Sequence, residues 1–142
     1  MEKGSFQKVE RSSKRMYGPW KIVACGYRAN EQQRFLDLLK GIGFDDLPVV
    51  FVGEAQKDMT LKELLEKPHG TGIGKDSGLR RAAILSGFTQ EGIHKILSEY
   101  RKSGFPAQLW ATLTPISEKW KICKLLEELQ KEAEEFRKKR QG

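Results

Sequence analysis

The sequence predicts an α+β domain in which two strand–helix–strand–helix units share one four-stranded sheet. Three observations carry this reading. Four short apolar runs, WKIVAC, LPVVFVG, AAIL and QLWATLT, are bounded by turn residues. Stretches with apolar residues at helical spacing follow each run. The second half of the chain also lies over the first without a gap at an offset of 61. Gly26 then falls on Gly87, Leu36 on Leu97, Gly43-Phe44 on Gly104-Phe105, and Leu64-Leu65-Glu66 on Leu125-Leu126-Glu127. The ungapped register and the shared Gly-Phe pair predict an internal duplication.

In chain order, residues 1–19 are polar and charged without periodicity and are expected to be a disordered basic tail closed by Pro19. Residues 20–25 form the first strand, and Gly26-Tyr27 turns the chain. Asn30, with Gln33 three residues on, is expected to cap a helix whose apolar face is Phe35, Leu38, Leu39 and Ile42. Gly43 can take the left-handed conformation that ends it, with Phe44 folding back on the last turn. Residues 47–53 are the second strand. Asp58 is expected to cap a short helix that Pro68 ends. Residues 69–80, including the glycine-rich HGTGIGKDSG, read as a linker between units 20–68 and 81–136 of one domain.

In the second unit, residues 82–85 are a strand, Ser86-Gly87-Phe88 a turn, and Thr89 an N-cap for a helix with Ile93, Ile96, Leu97 and Tyr100 on one face. Pro106 prevents continuation past Gly104-Phe105. The fourth strand ends at Pro115. Ser117 opens the last helix, whose face is Ile122, Leu125, Leu126, Leu129, Ala133 and Phe136. Two such units can interleave into an antiparallel, ferredoxin-like sheet, which is the first expectation. The alternative is an open parallel sheet with helices on both faces.

The length of 142 residues fits one domain with a genuine core. The net charge of +7 belongs to the ends: residues 1–20 contribute +3, RKKR at 137–140 adds +4, and 21–136 balances seventeen basic against seventeen acidic residues. A nucleic-acid domain more usually concentrates cations on its folded face, so polyanion contact through the tails, including 137–142, is a secondary expectation. No run is long enough to span a membrane, and the N-terminus lacks a signal-peptide core. Cys25 and Cys123 are far apart and read as reduced thiols of a cytoplasmic protein. Two histidines, His69 and His94, are too few and too scattered for a zinc site, so neither metal nor cofactor is expected.

GTGIGKDSG superficially resembles a phosphate loop, but Gly70 and Gly74 are one residue too close, Asp76 follows Lys75, and the stretch sits between a helix and a strand. The glutamates of the last helix alternate with lysines as on a solvated face. The better candidate is the turn LTPISEKW, residues 113–120. There Thr114, Ser117 and free amides could gather around an anion, with Trp120 as a wall. Gly87 and Thr89 of the parallel turn would add a second set of amides. Capping and packing explain the same residues.

At these residues the chain resembles a small prokaryotic family of domains of unknown function, family 3783. The pattern is Gly87-Phe88, Thr89 to Glu91, Thr114-Pro115, Ser117, Trp120 and Leu125-Leu126-Glu127-Leu129. It covers 82–136 well and the first half more loosely. Lys119 stands where family members often have Asn. The resemblance implies a fold family and a prokaryotic cytosolic protein, and no activity. The expected function is a non-catalytic regulatory or protein-interaction module, with a homodimer or protein partner. Nucleic-acid binding, and an enzyme or binder of an anionic ligand at the 113–120 turn, are the alternatives.

Overall fold

A computed structural model describes residues 14–141. The elements are β1 (Lys21–Cys25), α1 (Ala29–Gly41), β2 (Val49–Val52), α2 (Leu61–Leu65), β3 (Ala82–Ser86), α3 (Gln90–Lys102), β4 (Leu109–Thr112) and α4 (Ile122–Gln141). Short 3-10 turns at Glu54–Gln56 and Ser117–Lys119 precede α2 and α4.

The four strands form one sheet in the order β2-β1-β3-β4. β1 pairs in parallel with β2, and β3 with β4, as a strand–helix–strand crossover requires. The two pairs meet along an antiparallel β1–β3 seam. The units therefore lie side by side, each keeping its own strands adjacent, where a ferredoxin-like plan would interleave them. The sheet is mixed, and both of its faces are covered.

Two-sided cover follows from the strand sequences. Ile22, Ala24, Val49, Phe51, Ala83 and Leu85 face a core completed by Phe35 and Leu39 of α1 and Ile96 and Tyr100 of α3. The alternate residues Val23, Cys25, Val50, Val52, Ala82 and Ile84 face a second core with Leu61, Leu64 and Leu65 of α2 and Ile122, Leu125 and Leu126 of α4. Strands apolar on both faces need helices on both faces. The helices α2 and α4 supply the second layer.

A shift of 61 residues relates the two units in space as well as in sequence. It carries the pair Ile22–Val49 onto Ala83–Trp110, and Ala24–Phe51 onto Leu85–Thr112. It carries α1 onto α3 end to end. Gly26 and Gly87 both take positive φ, at 81° and 69°. An isolated bridge between Thr60 and Lys121 joins the starts of α2 and α4. There Leu61 donates to the Trp120 carbonyl at 3.0 Å and Ile122 to that of Met59 at 2.9 Å.

Several local expectations change. Residues 1–13 lie outside the described residues, but 15–17 are not loose. The Met16 amide donates to the Phe88 carbonyl at 2.8 Å, and the Gly87 amide to that of Tyr17 at 3.0 Å. The supposed linker mirrors this, since Ser77 donates to the Tyr27 carbonyl at 3.2 Å. Helix α1 begins before Asn30: the Glu31 carboxylate accepts from the Arg28 amide at 2.9 Å, and Asp76 accepts from the Ala29 amide at 2.7 Å. Thr60, rather than Asp58, caps α2, with Glu63 closing a reciprocal capping box. Ser117 opens only the 3-10 turn, and α4 starts at Ile122. Thr89 caps α3, accepting from the Gly92 amide at 3.0 Å. Gly43 ends α1 in a Schellman turn, with Phe44 donating to Leu39 at 2.9 Å.

Candidate functional site

Because the seam is antiparallel, the sheet presents strand C-termini at two opposite ends. The residues singled out from sequence lie at the end formed by β3 and β4. Thr114 and Ser117 close on each other: the Thr114 amide donates to Ser117 Oγ at 3.0 Å, and the Ser117 amide to Thr114 Oγ1 at 3.0 Å. The Thr89 hydroxyl is engaged in capping α3. The Gly87 amide is taken by Tyr17, and its carbonyl accepts from Arg15 Nε at 3.2 Å. Trp120 packs half-buried against the second core. Among the described residues, no hydrogen bond joins the Thr114–Ser117 pair to Gly87 or Thr89. Buried beside them, Ser86 Oγ has no hydrogen-bond partner among the described residues.

The opposite end, formed by β1 and β2, holds a cavity of about 270 Å³ that sequence reasoning passed over. Gln32, Phe51, Gly53, Gln56, Gly72 and Ser77 are among its walls. Its polar groups already have work within the fold. Gln32 is 2% exposed, and its carboxamide Nε2 donates to the Gly72 and Lys75 carbonyls at 3.2 and 3.0 Å. Its Oε1 accepts from the Gly74 amide at 2.8 Å. Gln56 Oε1 takes the Gly53 amide at 3.0 Å, and Ser77 Oγ the Gly26 amide at 3.2 Å. Asp76 places a carboxylate at the N-terminus of α1, where a phosphate loop would leave amides open for an anion. The glycine-rich stretch is thus a strap tied across the molecule.

Burial perturbs two tyrosines and a thiol in the body. Desolvation pushes the Tyr27 phenol well above its ordinary value, and its hydroxyl donates to Gln108 Oε1 at 2.9 Å. Desolvation also pushes the Cys25 thiol up to about 12 and raises Tyr100. These groups are poor acids and bases near neutrality. Among the described residues there is no cluster of histidine, cysteine or carboxylate side chains that could hold a metal ion. His94 is exposed on α3. Arg81 and Glu31 form a fork-like ion pair between the two units, at 2.7 and 3.3 Å, with the guanidinium 4.3 Å from the Tyr27 ring centre.

The clearest asymmetry lies at the two edges of the sheet. On β2, the strap closes the outer edge: the Phe51 amide donates to the Thr71 carbonyl at 2.8 Å, and the Gly70 amide to that of Val49 at 3.0 Å. The Val49 amide donates to His69 Nδ1 at 3.0 Å. All four β2 residues are buried. On β4, the Leu109 and Leu113 amides point inward to Arg81 and Leu85 at 3.1 and 2.9 Å. By strand alternation the Trp110 and Thr112 groups point outward. No backbone partner covers them among the described residues, because α4 occupies the chain positions that the strap occupies in the first unit. Every β4 residue is at least partly exposed. The basic Arg137, Lys138 and Lys139 lie exposed in the last turns of α4.

Fold and surface define a three-layer α+β domain of two side-by-side strand–helix–strand units, with one sheet edge closed and the other without a backbone partner among the described residues. Residues 81–136, which run from just before β3 through most of α4, match the model of a family described as Domain of unknown function (DUF3783). No curated protein and no solved structure matches the chain. No described helix is long and apolar enough to cross a membrane.

Proposed function

We propose that the protein is a non-catalytic interaction module that accepts an extended strand on the open edge of β4. The observation that carries this reading is the contrast at equivalent positions. The outward amide of Phe51 is taken by the strap, whereas that of Thr112 has no partner among the described residues. An unpaired, half-buried strand edge is a template for strand addition, in which main-chain hydrogen bonds supply affinity. The first unit supports the reading by holding a segment of the chain on the matching edge through main-chain hydrogen bonds, although residues 69–74 there run in turns.

The test is a selection of extended peptides from a displayed library against the immobilised protein, counter-selected with Thr112→Pro. Peptides that bind wild type and lose that binding in the variant support the module. A library that yields no binder, or binders indifferent to Thr112→Pro, sinks it.

We further infer that the two units descend from one duplicated strand–helix–strand–helix segment. Equal ladder registers, the equal lengths of α1 and α3, and matching left-handed glycines at an offset of 61 support this. On this reading the second copy exchanged the strap for a continued helix and so opened the edge.

A further inference from the structure

We propose that the occupant of the β4 edge is the β4 edge of a second copy of this chain. The two strands pair antiparallel about a twofold axis at Ala111, and the two sheets of four strands become one continuous sheet. The inference rests on the interaction reading above and names its partner.

Three observations point to a second copy. The first is stereochemical. The outward-facing residues of β4 are Trp110 and Thr112, one on each side of Ala111. An antiparallel pair of residues exchanges both of its hydrogen bonds when their polar groups face each other. A twofold axis at Ala111 sets Trp110 against Thr112 of the partner subunit, and Thr112 against the partner's Trp110. Each outward amide and carbonyl then meets its complement, so the edge is complementary to itself.

The second is that the edge, though only four residues long, carries neither charge nor proline. QLWATLT, residues 108–114, holds no charged residue and no proline. Strands that remain edges usually carry a lysine, a proline or a bulge that blocks pairing. Here the neighbouring half-exposed Leu109 and Ala111 pack under α4, and Trp110 stands edge-on to the Tyr100 ring at 5.2 Å. The strand is thus held in place by its own core.

The third is charge. Helix α4 packs on β4 and follows it on the same face of the sheet. Residues 127–135 of α4 carry five glutamates and one lysine, whereas 137–139 are Arg, Lys and Lys. A twofold axis perpendicular to the sheet keeps both α4 helices on one face and runs them in opposite directions. The acidic stretch of one then lies toward the basic end of the other. A foreign strand would leave this arrangement without a counterpart.

Sedimentation equilibrium of the full chain over a concentration series tests the proposal, with Thr112→Pro and Thr112→Lys as variants. Thr112 is exposed and its amide points away from β3, so neither change removes a β3–β4 bond. Circular dichroism and unfolding midpoints close to wild type establish that both variants fold. Wild type is expected to dimerise, with the Trp110 and Thr112 amides exchanging more slowly as concentration rises. Thr112→Pro removes one amide donor from each copy and is expected to raise the dimer dissociation constant roughly tenfold or more, as loss of two hydrogen bonds implies. Thr112→Lys keeps its amide and is expected to raise the constant by setting like charges close together across the twofold axis. High salt should weaken the dimer. A wild type that stays monomeric at every soluble concentration overturns the proposal, and so does a dimer indifferent to both variants. Should peptides still select the edge of a monomeric protein, self-pairing fails while the interaction reading stands. Should the edge bind neither peptide nor copy, both fail.

Discussion

Val23 and Ile84 lie opposite each other at the middle of the β1–β3 seam, and a shift of 61 positions carries Val23 onto Ile84 itself. Thr60 and Lys121 stand in the same relation at their bridge. Two self-exchanged pairs mark an approximate twofold axis through the sheet, and the second core is wrapped around it. Both seam residues are fully buried, so they couple the two units directly.

Ile84→Ala is accordingly expected to cost about 2–5 kcal/mol, the range for deleting a large aliphatic side chain from a packed core. Val23→Ala should cost less, and the double variant should depart from additivity because the residues share one cavity. Urea unfolding followed by far-UV circular dichroism measures all three. A fully additive double variant would show that the halves are energetically independent.

Gly72 and Gly74 both take positive φ, at 85° and 91°, but their surroundings differ. A Cβ on Gly72 would overlap the Phe51 carbonyl, whereas one on Gly74 meets open space. Gly74→Ala should therefore cost only the left-handed strain, about 1 kcal/mol. Gly72→Ala must also push the strap off β2 and should cost about 1–3 kcal/mol. Amide exchange at Phe51 separates the two, rising in the Gly72 variant and unchanged in the Gly74 variant.

Thr60 and Glu63 close the capping box of α2. The Glu63 carboxylate accepts from the Thr60 amide at 2.9 Å and the Thr60 hydroxyl at 3.2 Å, and these bonds hold its pKa below the ordinary value. A carboxylate whose pKa is lowered by folding adds stability above its unfolded pKa and loses it as pH falls through the folded value. Glu63→Gln should flatten that acid limb in a series of urea midpoints. Thr60→Ala should lower stability by about 1 kcal/mol at neutral pH, as loss of an N-cap does.

Cys25 is sealed in the second core, and its thiol is pushed up to about 12 by desolvation. Cys123 is half-buried beside Asp58. Brief alkylation of the native protein at neutral pH should label Cys123 alone, with Cys25 reacting only after unfolding. Peptide mass mapping reads the result. Labelling of Cys25 at the same rate would show that the sheet opens readily.

The sequence displayed most of what local chemistry decides. The four strands, the Thr89 cap and the Gly43-Phe44 turn depend on residues close together in the chain, and all were legible. The starts of α1 and α2 were not placed correctly. The α1 cap draws on Asp76, forty-seven positions away from Ala29, and no local pattern ranks Thr60 above Asp58. Strand order was equally hidden, because interleaved and side-by-side units use the same runs of apolar residues. Cover on both faces belongs to the alternative, open parallel reading, whereas the favoured ferredoxin-like plan puts helices on one face; the structure has both faces covered. The offset of 61 was readable, but not its meaning at the edges. His69 and Gly70 bind β2 by their position across the fold, and only comparison with the continued α4 exposes β4. At 113–120 the sequence is compatible with open amides and with local capping alike, and the short Thr114–Ser117 spacing lets the pair satisfy itself.

The antiparallel seam has a consequence for geometry at large scale. It makes the molecule bipolar: the crevice floored by Gln32 looks one way, and the turn holding Thr114 and Ser117 looks the other. A single small molecule cannot touch both poles. Whatever engages them does so as two separate events, and the rigid sheet between them fixes how far apart those events occur.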